Sequence, residues 1–465
     1  MSAAGLIVGA PASGSGKTTI TLALLRALRR RGVVVGSFKV GPDYIDPAFH
    51  ARASGRPCPN LDAWAMRIET LAGLADRLIE QADLVLGEGV MGLFDGAADG
   101  TGSTADLASL LDLPVILVVD ASRMGSSAAA LVEGFTRHRD DVEVAGIVFN
   151  RVAGERHAAI LRRACDDHFA QPVLGCVLSS PNLRLPERHL GLLQAQEVPN
   201  LERWLDAAAD LVAQHLDLDR LQRLARPFGL GLYGPPPRPL RPPGQRIALA
   251  CDAAFAFAYP TTVEGWREAG AEVLPYSPLA DQGPDGGADA VFLPGGYPEL
   301  HAGRLAANRT FLDDLHAAAR RGAFVYGECG GFMALGERLV DREGRSHAMA
   351  GLLPVATSFA EPRLHLGYRR IRLLEASPLG QAGATFRGHE FHYASLVEAC
   401  DAPALFEATD ARRNPLGPQG ARAGTVCGSF LHLIDRVTER RHAPDSLRPP
   451  ENEGPASQPQ PSRRR

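Results

Sequence analysis

Six short apolar runs punctuate the first half of the chain: "GLIVGA", "GVVVGSFKV", "ADLVLGEGV", "PVILVVD", "VAGIVFN" and "PVLGCVL". Their length and β-branched content predict buried strands. After the first, "TTITLALLRALRRR" sets Leu22, Leu25 and Leu28 on one face of a helix. Strands alternating with helices predict a mostly parallel sheet covered on both faces. The pattern restarts with "RIALACD", "AEVLPYS", "ADAVFLPGG" and "GAFVYGE", then becomes irregular. The expectation is two α/β domains, residues 1–225 and 246–440. Between them "RPFGLGLYGPPPRPLRPPGQ", residues 226–245, is dense in proline and glycine, as a linker would be. The polar, proline-rich residues 441–465 predict a disordered tail.

Composition narrows the class. A chain of 465 residues is too long for one ordinary domain, and 45% apolar with 22% charged residues describes a soluble globular protein. The net charge of −4 gives no reason to expect nucleic acid or a membrane surface as partner. Seven cysteines without a Cys-x-x-Cys pair argue against a zinc module and a secreted disulfide framework. No run reaches transmembrane length, so the cytoplasm is the expected compartment.

Chemistry enters at two glycine-rich turns. In "GLIVGAPASGSGKTTITL" a strand, a loop and a helix follow one another. Backbone N–H groups of such a loop cradle phosphates, the lysine reaches the outer ones, and the hydroxyl ligates magnesium. Gly14, Ser15, Gly16, Lys17, Thr18 and Thr19 are the predicted ATP-binding residues. The strict pattern asks for glycine where Pro11 stands; Gly9 is the candidate for the tight turn. Thr18, with Glu88 and Asp43 at strand ends, is a candidate magnesium ligand. Lys39, Asp46 and His50 close the second strand; for Asp46 and His50, function and simple loop solubility both stay open. The second turn is Gly327-Glu328-Cys329-Gly330-Gly331. A buried structural cysteine needs no flanking glycine, whereas a nucleophile on a sharp strand-to-helix turn does.

The segments "APASGSGKTT", "FKVGPDYIDPAFH", "EGVMGLFDG" and "LPERHLGL", with "LPGGYPEL", "GECGGFMALGE", "RGHEFHYA" and "GSFLHL" further on, resemble one family over about residues 4–436. It is the glutamine-dependent cobyrinic or hydrogenobyrinic acid a,c-diamide synthases of cobalamin biosynthesis. The resemblance implies a dethiobiotin-synthetase-like P-loop domain followed by a flavodoxin-like class I glutamine amidotransferase domain. It implies Cys329 as glutaminase nucleophile, His432 as its base, and Gly295, Gly296 and the N–H of Gly330 as oxyanion and glutamine contacts. ATP, Mg2+, L-glutamine and a corrinoid polycarboxylate are the implied cofactors and partners. Asp46, Tyr44 and Asp95 are candidates for corrinoid contact; a homodimer stays open.

One departure stands out. Related amidotransferases carry glutamate, and this family commonly histidine, two residues after the base; here the residue is Ile434. Either the third member lies elsewhere, with Glu390 and His392 as candidate supports, or Cys329 and His432 work as a dyad. Asp435 receives no role. The alternatives are a cobyric acid synthase, a partitioning-type switch ATPase and a nonenzymatic corrinoid-binding module. The switch ATPases carry an additional lysine that Ala10–Ser13 lack, and composition leans towards the metal-free corrinoid.

Overall fold

A computed structural model describes residues 3–437 apart from 167, 184, 189–190, 231–237 and 398–400. The expected tail, most of the linker's proline run, and His189 and Leu190 of "LPERHLGL" therefore lie outside the described residues.

The six predicted strands all form: β1 (Ala4–Gly9), β2 (Val35–Val40), β4 (Leu84–Glu88), β5 (Val115–Asp120), β6 (Val144–Val152) and β7 (Val173–Leu178), with a short β3 (Asn60–Leu61). They run parallel in the order β3-β2-β4-β1-β5-β6-β7. Helix α1 (Lys17–Arg30) follows the phosphate loop, α2 (Asp46–Ser54) follows β2, and α3 (Ile68–Gln81) packs on the sheet. Helix α1 is more buried than a one-faced helix: Ile20, Thr21, Ala23 and Leu24 are covered as well as the three predicted leucines. It is covered from a second side by the helix Leu201–His215, where Arg26 pairs with Glu202 and Asp206 at 2.9 and 2.7 Å. The start of the expected linker belongs to the sheet instead. Arg226–Pro227 pairs antiparallel with Ala4 and Gly5 of β1, and Phe228 enters the core beside them.

The second domain holds a parallel sheet in the spatial order Glu272–Tyr276, Arg246–Ala250, Ala290–Leu293, Phe324–Glu328, Val426–Ser429, closed by the antiparallel Ala421–Ala423. A five-stranded antiparallel sheet accounts for the irregular region, with His365–Leu373, Thr385–His392 and Leu431–Arg436 side by side. The chain passes from one sheet to the other within a few residues: Ser429 pairs with Glu328, and His432 with His389. Among the described residues no helix is long and apolar enough to cross a membrane.

The domains are docked. Strand alternation divides Leu431–Arg436 between them: Leu431 and Leu433 join the core of the second domain, whereas Ile434 joins that of the first. Asp435 is fully buried and accepts hydrogen bonds from Arg67 N (2.9 Å), Arg67 Nε (3.0 Å) and Thr70 Oγ1 (2.7 Å) at the start of α3. Tyr368 stacks on Trp64 and donates to Asp62 at 2.9 Å.

Candidate active sites

At the carboxyl ends of the first sheet's strands lies a cleft of about 1180 Å³, lined by Gly14, Gly16, Lys17, Thr18 and Thr19 together with Glu88. This is where open α/β sheets bind ligands. Gly16 has φ of 91°, and a Cβ there would strike Asn150 Nδ2 at 2.2 Å, so only glycine fits. The amide of Asn150 in turn donates to Ser15 O at 3.0 Å and ties the loop to β6. Lys17 reaches across to Met91 O. Burial, then the neighbouring Lys39, lowers its ammonium to about 8.

Behind the loop sits a buried set of charges. Lys39 Nζ lies 2.6 Å from Asp46 Oδ2 and 2.7 Å from Glu88 Oε1; His50 Nε2 lies 2.7 Å from Glu88 Oε2; Thr18 Oγ1 donates to Glu88 at 2.6 Å. Burial works against the charge of Glu88, but Lys39 and His50 outweigh it and hold its carboxyl below the ordinary range. Asp46 moves the other way, to about 7, because burial and the charge of Asp43 exceed the pull of Lys39. Asp46 Oδ2 also lies 3.4 Å from Thr18 Oγ1. Thus Thr18, Glu88 and Asp46 converge. Asp43 lines the same cleft, but its Oδ1 accepts from the N–H groups of Ile45 and Asp46 at 2.8 and 3.0 Å, opening α2. Asp95 accepts from Gly92 N at 2.8 Å and shapes the loop after β4, outside the cleft lining.

Cys329 ends the strand Phe324–Glu328 with φ 46° and ψ −102°, a strained turn for a residue with a side chain. Its N–H donates to Ser429 O at 2.8 Å, which fixes the turn against the neighbouring strand. Burial, followed by the charge of Glu299, pushes its thiol up, so deprotonation needs a base close by. His432 is close by. A Cβ on Gly295 would lie 2.5 Å from His432 Cε1, 3.3 Å from Nε2 and 3.4 Å from Cys329 Cβ, so the imidazole and the cysteine border the same glycine. A Cβ on Gly330 would lie 3.0 Å from Gly296 N, which brings that N–H next to the turn.

On its far side, His432 Nδ1 is 3.0 Å from the hydroxyl of Tyr44 and 3.6 Å from Glu328 Oε2. Glu328 is held through Oε1 by Tyr326 OH and Leu433 N, both at 3.1 Å. His389 stacks on His432 at 4.9 Å and hydrogen bonds with Tyr259 OH at 2.9 Å; Tyr259 stacks on Tyr44 at 4.3 Å. Tyr44, a sequence candidate for corrinoid contact, is therefore placed against His432. Glu390 and His392 pair with each other at 2.8 Å, and Glu390 with Arg369 at 2.8 Å. Along the strand they alternate with His389, the residue that pairs with His432, and so project to its other face. With His365 they bring ligand atoms within 4.8 Å of one another, although Arg369 already holds Glu390 Oε2 and Ala394 O holds His392 Nδ1. Sequence reasoning missed Glu328, Tyr259 and His389. Only Glu328, adjacent to the nucleophile, carried a signal.

Residues 6–193 match the CobQ/CobB/MinD/ParA nucleotide binding domain family, and residues 246–438 match the CobB/CobQ-like glutamine amidotransferase domain family. A hydrogenobyrinate a,c-diamide synthase of Brucella anthropi is 54% identical over 438 residues, covering 94% of this chain and 99% of the relative. Proteins of the same name from Sinorhizobium sp and Rhodobacter capsulatus are 52% and 53% identical, covering 93% and 92% of this chain and 98% of each relative. With both domains matched in order and more than half of all positions shared along almost the whole length, the chain belongs to the hydrogenobyrinate a,c-diamide synthase family.

Proposed function

We propose that this protein amidates the a and c carboxylates of hydrogenobyrinic acid in the cytoplasm, with glutamine as nitrogen donor and ATP as activator. The observation that carries the reading is the loop 41–46, which touches both centres: Asp46 meets Lys39 and Thr18 in one domain, and Tyr44 meets His432 in the other. The kinship with synthases of that name supplies the substrate.

A carboxylate does not react with ammonia, because oxide is a poor leaving group. Transfer of the γ-phosphoryl of ATP to the carboxylate gives an acyl phosphate and ADP. Lys17 and the loop N–H groups stabilise the charge in transit by position and electrostatics. The donor set Thr18, Glu88 and Asp46 is all oxygen, the chemistry a hard divalent cation requires. Magnesium held there would supply further neutralisation of phosphate charge. Asp46 takes this place beside Thr18, and Asp43 serves the loop that presents it.

In the second domain His432 Nε2 takes the Cys329 proton while Sγ bonds to the glutamine amide carbon. The amide C–N bond then breaks, its nitrogen takes that proton, and ammonia leaves. Water cleaves the thioester to glutamate and restores the thiol. The N–H groups of Gly296 and Gly330 are the oxyanion donors of this scheme, beside Gly295. Ammonia attacks the acyl phosphate, forming the amide and releasing phosphate. The test is amide formation on hydrogenobyrinic and cobyrinic acids with ATP and magnesium, each with glutamine or ammonium. The parent is expected to use both donors, and Cys329→Ala only ammonium. No amide on either corrinoid with either donor would overturn the reading, and preference for cobyrinic acid would correct the substrate.

A further inference from the structure

A general base must offer a bare Nε2 to the thiol, so its other nitrogen must carry the proton and have an acceptor to hydrogen-bond with. In many triads a carboxylate accepts the hydrogen bond from that N–H. Here the position two residues on is Ile434, 2% exposed and packed in the core of the first domain. Glu328 Oε2, at 3.6 Å from Nδ1, is beyond hydrogen-bond distance. Among the described residues, the atom within reach is the hydroxyl oxygen of Tyr44, at 3.0 Å, from the other domain.

That oxygen is firmly placed. Tyr44 stacks with Tyr259 at 4.3 Å and with Phe257 at 5.2 Å. Its loop is fixed by Asn60, which donates to Gly41 O at 2.9 Å and Asp43 O at 2.7 Å, and by Asp43, whose Oδ1 accepts from the N–H groups of Ile45 and Asp46. The imidazole itself is stacked on His389 with an interplanar angle of 7°. Burial with the neighbouring His432 keeps His389 neutral, and the Tyr44 hydroxyl is an uncharged acceptor. An uncharged acceptor fixes the tautomer without trapping the proton that the base must later hand to ammonia.

We propose that Tyr44 is a positioning residue of the glutaminase, whose hydroxyl oxygen accepts a hydrogen bond from the Nδ1–H of His432 across the domain interface and so completes the site that Ile434 leaves open. The proposal rests on the reading of Cys329 and His432 as the glutamine-hydrolysing pair. It makes glutamine hydrolysis depend on the loop that also carries Asp46 to the phosphate site, two residues away.

The test is glutamine hydrolysis by the full chain and by Tyr44→Phe, which removes the hydroxyl and keeps the ring stack. The expected result is a fall in kcat of at least about tenfold, with KM within about twofold. A smaller fall, or a rise, overturns the proposal. Nitrogen-15 spectra of the parent give a second readout that needs no variant. His432 should carry its proton on Nδ1, and an Nε2–H tautomer overturns the proposal. Cys329→Ala, run alongside, separates the two readings: if it hydrolyses glutamine as fast as the parent, the pair itself is misassigned and the tyrosine's role falls with it. If it is inactive while Tyr44→Phe is unimpaired, only the tyrosine's role is wrong.

Discussion

The two sites are built from opposite materials. The phosphate site is a set of buried charges, in which Lys39, Asp46, Glu88 and His50 compensate one another within 2.6–2.7 Å. The glutaminase site is a stack of neutral rings around one thiol, with Tyr44, Tyr259 and His389 about His432. The difference follows from the chemistry. A site that steadies a transferring phosphoryl group needs fixed charge before substrate arrives, and the low dielectric strengthens it. A site that moves one proton between thiol, imidazole and ammonia needs groups that do not hold on to it. Charges pair in contact behind the phosphate loop, whereas the rings that touch His432 carry none and the carboxylate of Glu328 stands off at 3.6 Å.

The contrast breaks first at Glu88. Changing Glu88→Gln leaves Lys39 and His50 facing a neutral amide in a buried space. A loss of about 3–5 kcal/mol is expected, the usual result of removing one partner of a buried pair. Urea unfolding measures it; a loss below about 1 kcal/mol would mean that the charges are not mutually dependent. Next comes Gly295→Ala, whose Cβ would sit 2.5 Å from His432 Cε1. The displaced ring should lower glutamine hydrolysis about 100-fold, while ammonium-dependent amidation persists. Equal loss with both donors would place the defect outside the glutaminase.

The smallest effect sharpens the comparison from the edge of the neutral site. Burial opposes the charge of Glu390, but His392 and Arg369 outweigh it and lower its carboxyl to about 2. A carboxyl lowered on folding contributes stability above its ordinary value of 4.5, and this is lost as pH falls towards 2. The parent should therefore exceed Glu390→Gln by about 1 kcal/mol at pH 6, the difference shrinking between pH 4.5 and 3. A constant difference in thermal unfolding across that range would show that the contribution is packing and not charge.

The same division explains what the sequence disclosed. The phosphate loop is one continuous strand, turn and helix, so local pattern was enough to find Gly16, Lys17 and Thr18. The strand-to-helix turn at Cys329 was legible for the same reason, closed as it is by glycines. The surroundings of His432 were not, because they arise from a strand register and a docking surface. In "RGHEFHYA" alternate residues face opposite ways, and nothing local says which face meets the base. Glu390 and His392 were the candidates; His389, on the other face, pairs with His432. Ile434 looked like a missing catalytic group and is a core residue of the neighbouring domain. The proline-rich linker was read from composition, yet its first residues are a strand of the first sheet because Phe228 has a core to fill.

The division of labour along Leu431–Arg436 also sets an order of events in synthesis. Tyr44 leaves the ribosome 388 residues before His432, and domains fold as units from the amino end. The strand bearing the base thus arrives at a finished surface, with Arg67 and Thr70 waiting for Asp435. A nascent chain cannot begin releasing ammonia before the machinery that consumes it has been made.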